Sequence, residues 1–97
     1  MRVLLDIEID TATTNKLIAD GTVGERFERI MAALKPEAAY FFNRNGHRAQ
    51  IIVVDVPDEA ALPSICEPFW LEFNATVQTH ICMNPDDLRE GLSRLGR

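Results

Sequence analysis

Val3, Leu5, Ile7 and Ile9 alternate with Arg2, Leu4, Asp6 and Glu8, so one side of this first segment is wholly aliphatic and the other mixes charge with one leucine. Successive side chains of a β-strand point to opposite faces, and a sustained period of two marks a strand half sunk in a core. An aliphatic row of this kind must be covered by helices or by another sheet, so it limits the chain to a few layered architectures. Residues 76 to 83, TVQTHICM, repeat the pattern less sharply: Val77, Thr79, Ile81 and Met83 share one side, while Thr76, Gln78, His80 and Cys82 share the other.

Between these strands the periodicity changes. After strand one, TATTN offers Thr and Asn caps for a short helix through KLIAD. Residues 20 to 24, with two glycines, break it, and GERFERIMAALK places Phe27, Ile30, Met31 and Leu34 at helical spacing. Pro36 ends that helix. AAYFFNRN and HRAQIIVVDV then read as two strands joined at Asn45-Gly46, the dipeptide that most readily supplies the two positive φ angles of a tight hairpin. A helix over residues 58 to 73 is expected to restart at Pro63 and to kink or stop near Pro68. After the fourth strand, Asn84-Pro85-Asp86-Asp87-Leu88 is a strong helix start, with Leu88, Leu92 and Leu95 as a narrow apolar stripe and Gly96 as its stop. The order βαββαβ plus a terminal helix predicts an α+β, ferredoxin-like domain over residues 1 to 97, with an antiparallel four-stranded sheet in spatial order 4-1-3-2.

A chain of 97 residues forms one domain and is too short for a large internal pocket alongside its own core. At 46% apolar and 26% charged residues the whole chain is expected to fold. A formal net charge of −5 argues against a nucleic-acid partner, which requires a concentrated cationic surface. Asp6 and Glu8 interrupt the first apolar run, so it is neither a secretory signal nor a membrane span, and a cytoplasmic location is expected. Cys66 and Cys82 have no metal or redox spacing and read as buried free thiols.

Helices on one side leave the second sheet face bare. Tyr40, Phe41 and Phe42 in one strand and Ile51, Ile52, Val53 and Val54 in the next make both faces apolar, which predicts a homodimer closed through the open face. With Val3, Leu5, Ile7, Val77, Thr79 and Ile81 under the helices, Leu4, Asp6, Glu8, Gln78 and His80 point into the space between subunits. The element order, the length and the mixed second face resemble the dimeric α/β-barrel superfamily, which includes muconolactone isomerases. KPEAAYFF, NGHR, VVDV, EPFWLEFNA and MNPDDL look like a family of small uncharacterised bacterial proteins. The resemblance implies the fold and the dimer, and it carries over no catalytic residue.

His80 with Asp6 or Glu8 is the candidate catalytic set, because an imidazole beside a carboxylate can move a proton near neutral pH, as an isomerase, lyase or cofactor-free oxygenase requires. The plainer reading, a hydrogen-bonding histidine on a half-wet strand, outweighs it. The same trio as metal ligands has no supporting motif, and Asp6 and Glu8 are better read as solvated charges or as partners of Arg48 across strands. Tyr40, Gln78 and His80 are the candidate ligand-binding residues. His47 at the hairpin tip reads as exposed turn decoration, and Trp70 as a plug at a helix end. No Gly-rich phosphate loop or GxSxG nucleophile occurs, and no cofactor or metal is expected. Three readings follow: a homodimer binding a small, partly apolar molecule between its subunits, an enzyme using His80, or a purely structural protein.

Overall fold

The computed structural model describes residues 1–96 and contains four strands and four helices. They are β1 (Arg2–Glu8), α1 (Thr11–Ala19), α2 (Val23–Leu34), β2 (Ala38–Arg44), β3 (His47–Asp55), α3 (Leu62–Phe73), β4 (Thr76–Ile81) and α4 (Pro85–Ser93), with a 3-10 turn at Glu59–Ala61. The sheet is antiparallel in the order β2-β3-β1-β4, the ferredoxin-like arrangement expected from the sequence.

The alternation in β1 sets the core. Val3, Leu5 and Ile7 are buried under the helices, and their register partners Val54, Ile52 and Gln50 in β3 are buried with them. Leu17 of α1, Ile30 of α2, and Cys66, Phe69 and Phe73 of α3 close this layer. Phe27 of α2 stacks on Phe73, with ring centroids 4.7 Å apart, and meets the edge of Phe41 at 5.8 Å, so one ring ties two helices to the outer strand β2. Phe41 therefore belongs to the helix-covered side and Tyr40 and Phe42 to the other, which divides the aromatic run between the two faces. Gln50 is the polar exception in the buried layer, and among the described residues its Oε1 has no donor.

Local chemistry explains the turns. Asn45 (φ 51°) and Gly46 (φ 85°) form the two-residue link of the β2–β3 hairpin, and the Gly46 amide donates to Asn43 Oδ1. Asp10 caps α1. The Thr13 hydroxyl and backbone amide both donate to its carboxylate and hold it below the usual carboxylate range. The helix thus begins at Thr11, ahead of the Thr and Asn caps that the sequence suggests, because an ionised acid outcompetes a hydroxyl for the free amides. Asn84 and Asp87 form a reciprocal capping box at the start of α4.

Three sequence expectations are corrected in α3 and β4. Pro63 lies in the first turn as expected, yet α3 runs through Pro68 to Phe73 without stopping. The missing donor at Pro68 is outweighed by the burial of Cys66, Phe69 and Phe73 on either side of it. Trp70 is not a plug: it is 43% exposed, because the buried stripe of α3 belongs to Phe69 and Phe73. Thr79 and Ile81 lie on the helix side of the sheet but stay exposed, since α3 does not reach over the outer end of β4. Both cysteines are free; Cys66 is buried, and burial raises its thiol pKa, whereas Cys82 is only half-buried.

Glu72 on α3 anchors α2 from outside the core. Arg29 and Arg26 both donate to its carboxylate, and the hydrogen bond from Arg29 leads in holding its pKa below the ordinary glutamate value. A carboxylate whose pKa is depressed on folding contributes stability above its unfolded pKa of about 4.3 and loses it as pH falls through the lower folded value. Glu72→Gln is expected to lower stability by about 0.5–1 kcal/mol at pH 7, a size set by solvent screening of the two arginines. Urea titrations at pH 7 and pH 3 test this: the difference from wild type should shrink at the lower pH.

Candidate functional site on the open sheet face

The β-ladders sort the residues that face away from the helices into cross-sheet rows. Ala38, Val53, Leu4 and His80 form one, Tyr40, Ile51, Asp6 and Gln78 the next, and Phe42, Ala49, Glu8 and Thr76 a third. The first two rows are largely apolar over β2 and β3, and Tyr40 is 70% exposed. Polar groups gather over β1 and β4.

Arg44 supplies the cation of this face. It lies at the end of β2, opposite His47, and its guanidinium passes 5.3 Å from the centre of the Phe42 ring to an ionic contact with Asp6 at 2.8 Å. The contact is a close ion pair to a buried carboxylate oxygen, Asp6 Oδ1. Asp6, and after it Glu8, raise the Arg44 pKa above its ordinary value. Ala49, between Phe42 and Glu8, has too small a side chain to block the path of Arg44 across the strands. Asp6, Glu8, Arg44, Thr76 and Gln78 line a cavity of about 150 Å³.

The sequence-predicted residues divide by position. Asp6, Glu8 and Gln78 share this cavity, and Gln78 is the direct cross-strand partner of Asp6. His80 sits opposite Leu4, diagonal to Asp6, and no hydrogen bond or ion pair holds it among the described residues. Its distance from Glu8, which faces Thr76, is two rows, on the order of 13 Å along the strand. Tyr40 is three strands from Gln78, on the order of 14 Å at sheet spacing, so a molecule touching both must cross the face. Arg48 does not pair with Asp6 or Glu8. It lies on the helix side, opposite Asn43, and donates to Asn15 Oδ1 at 3.0 Å. His47 is exposed at the hairpin tip, with its Nδ1 3.3 Å from Thr11 Oγ1, and it lines two surface hollows of about 290 and 360 Å³.

Arg44 is the residue that a reading by composition misses. Its signal was present: the Asn45-Gly46 turn sets Arg44 opposite His47, and alternation then puts Arg44, Phe42 and Tyr40 on the side of Ala49 and Ile51. The face can hold a hydrogen-bonding group between Gln78, Thr76 and the carboxylates, beside an apolar wall. Among the described residues no three of His, Cys, Asp and Glu are grouped to hold a metal ion, and no helix is long and apolar enough to cross a membrane. No protein-family model matches the chain, and no curated protein matches it.

Arg44→Gln keeps the stem of the side chain and removes its charge, leaving Asp6 and Glu8 side by side on one face of β1. The variant is expected to be less stable than wild type at pH 7. The loss is expected to be about 0.2–1 kcal/mol, the size of a partly screened ion pair. Chemical denaturation of the wild type, Arg44→Gln and Arg44→Lys at pH 7 reads this directly, and a deficit as large for Arg44→Lys, which keeps the charge, would assign Arg44 a packing role only.

Proposed function

We propose that the chain acts as a homodimer that binds a small, partly apolar molecule between the open sheet faces of its two subunits. The observation that carries this reading is the open face itself, where exposed Tyr40 and half-buried Ile51, Val53 and Leu4 lie beside a half-buried ion pair and an amide, on the side of the sheet away from the helices. An apolar surface of this kind costs roughly 25 cal/mol per Å² to leave in water, and pairing with a second copy removes it from solvent. A convergent set of polar groups against an apolar wall is the usual composition of a ligand pocket. The resemblance to dimeric α/β barrels supports the same assembly.

In this reading the ligand places its apolar part against Tyr40 and Ile51 and a hydrogen-bonding group against Gln78 and Asp6. His80, one row further on, contacts the ligand or the second subunit. The free thiols of Cys66 and Cys82 suit a reducing cytoplasm. The acidic formal charge of −5 leaves nucleic acid outside the proposal.

Sedimentation equilibrium at micromolar concentration is expected to give a dimer for the wild type and a monomer for Ile51→Glu, which would bury a charge at the centre of the joint face. A thermal-shift panel of small aromatic and aliphatic acids, amides and amines should contain compounds that stabilise the wild type. At a hundredfold excess over Kd the gain is about 2.7 kcal/mol. Gln78→Ala should lose the response while remaining dimeric. A monomeric wild type, or a panel without any stabilising compound, would overturn the proposal.

A further inference from the structure

α4 carries an apolar stripe that lies outside the core of its own subunit. Leu88 and Leu92, and Leu95 just past the end of the helix, follow one another at helical spacing and are 46%, 53% and 65% exposed, and among the described residues none of them joins the core layer. The polar side of the helix is already satisfied: Arg89 pairs with Asp86 at 2.9 Å, Arg94 with Glu90 at 3.4 Å, and Asp87 with Arg2. The leucine side is the exposed apolar one.

Nor is the helix sustained by itself. Isolated helices shorter than about 12–15 residues are marginal in water, and α4 has nine residues with Gly91, a poor helix former, in its last turn. The domain is elongated: the chain measures 57 × 29 × 17 Å with a radius of gyration of 15.6 Å. A compact domain of this length has a radius of gyration of about 13 Å. The base of the helix is tied to the rim of the open sheet face, because Arg2, which holds Asp87, also holds Glu37 and lies on the same side of β1 as Leu4 and Asp6. The sheet face offers on the order of 450 Å² of flat area at strand spacing, before side-chain relief. A stable interface buries about 800 Å² per partner.

We infer that α4 is an arm that packs its Leu88–Leu92–Leu95 stripe on the second copy of the chain, extending the interface proposed for the open sheet face. The inference rests on that homodimer and goes beyond it by assigning the arm to the partner subunit. The occupant is a second copy because the stripe starts where the open face ends, so whatever covers the face is within reach of the arm.

Two measurements on the full-length chain test it. Replacing Leu88, Leu92 and Leu95 together by Gln preserves helix propensity and removes the apolar stripe. The dimer dissociation constant is expected to rise at least tenfold, while Ile51→Glu abolishes the dimer. Separately, photo-leucine is incorporated into a mixture of 15N-labelled and unlabelled copies, and cross-links from α4 peptides are read by mass spectrometry. Links between differently labelled peptides are expected. A triple variant that dimerises like wild type, with only same-isotope links, would overturn the arm and leave the sheet-face dimer intact. A wild type that is monomeric would overturn both, and same-isotope links would then place α4 against its own subunit.

Discussion

Everything in this fold follows from the burial of one face of a central strand. Val3, Leu5 and Ile7 in β1 are covered by three helices, and the neighbouring strands take their faces from the registers they make with it. A shift of one residue in either register would move each aliphatic side chain of that strand into water and each polar one into the core, so pairing and burial specify each other. The hairpin between β2 and β3 extends the constraint, because its two-residue turn leaves no freedom in how Tyr40, Phe42 and Arg44 align with β3.

The cost of covering one face is the bareness of the other. A single chain of this size has enough helix for one layer, and what remains outside is organised rather than uniform: apolar over β2 and β3, charged and amidic over β1 and β4. The Arg44–Asp6 contact crosses from an edge strand to the central one and divides the two regions. Such a contact, with the arginine's stem laid over Phe42, contributes orientation more than stability, since half-exposed ion pairs are screened. Its effect is to set a cation against Asp6 and Glu8 beside an apolar wall, which makes this face chemically distinct from an ordinary interface.

The leucines of α4 belong to the same economy of surface. The capping box and intrahelical ion pairs define where the helix starts and which side is polar, and among the described residues its apolar side lies outside the core layer. A helix whose local signals are strong and whose tertiary contacts are sparse draws its stability from contacts beyond its own domain.

Much of this was legible in the residues alone. The strands, the Asn45-Gly46 turn, the Asn84 cap, the sheet order and the two faces of β1 all follow from period, turn chemistry and capping, which act over a few residues. What lay beyond the sequence depended on distance through space. The passage of α3 through Pro68 needed the burial of Phe69 and Phe73 to outweigh a lost hydrogen bond. The exposure of Trp70, Thr79 and Ile81 needed the length and angle of α3 over β4. The separation of His80 from Glu8 needed the register of β4, and the choice of Arg44 over Arg48 as the partner of Asp6 needed both that of β3 and the reach of a long side chain over Ala49. Local sequence determined which elements form and which of their sides are apolar; only the packed structure decided which polar groups meet, because side-chain encounters depend on contacts between residues far apart in the chain.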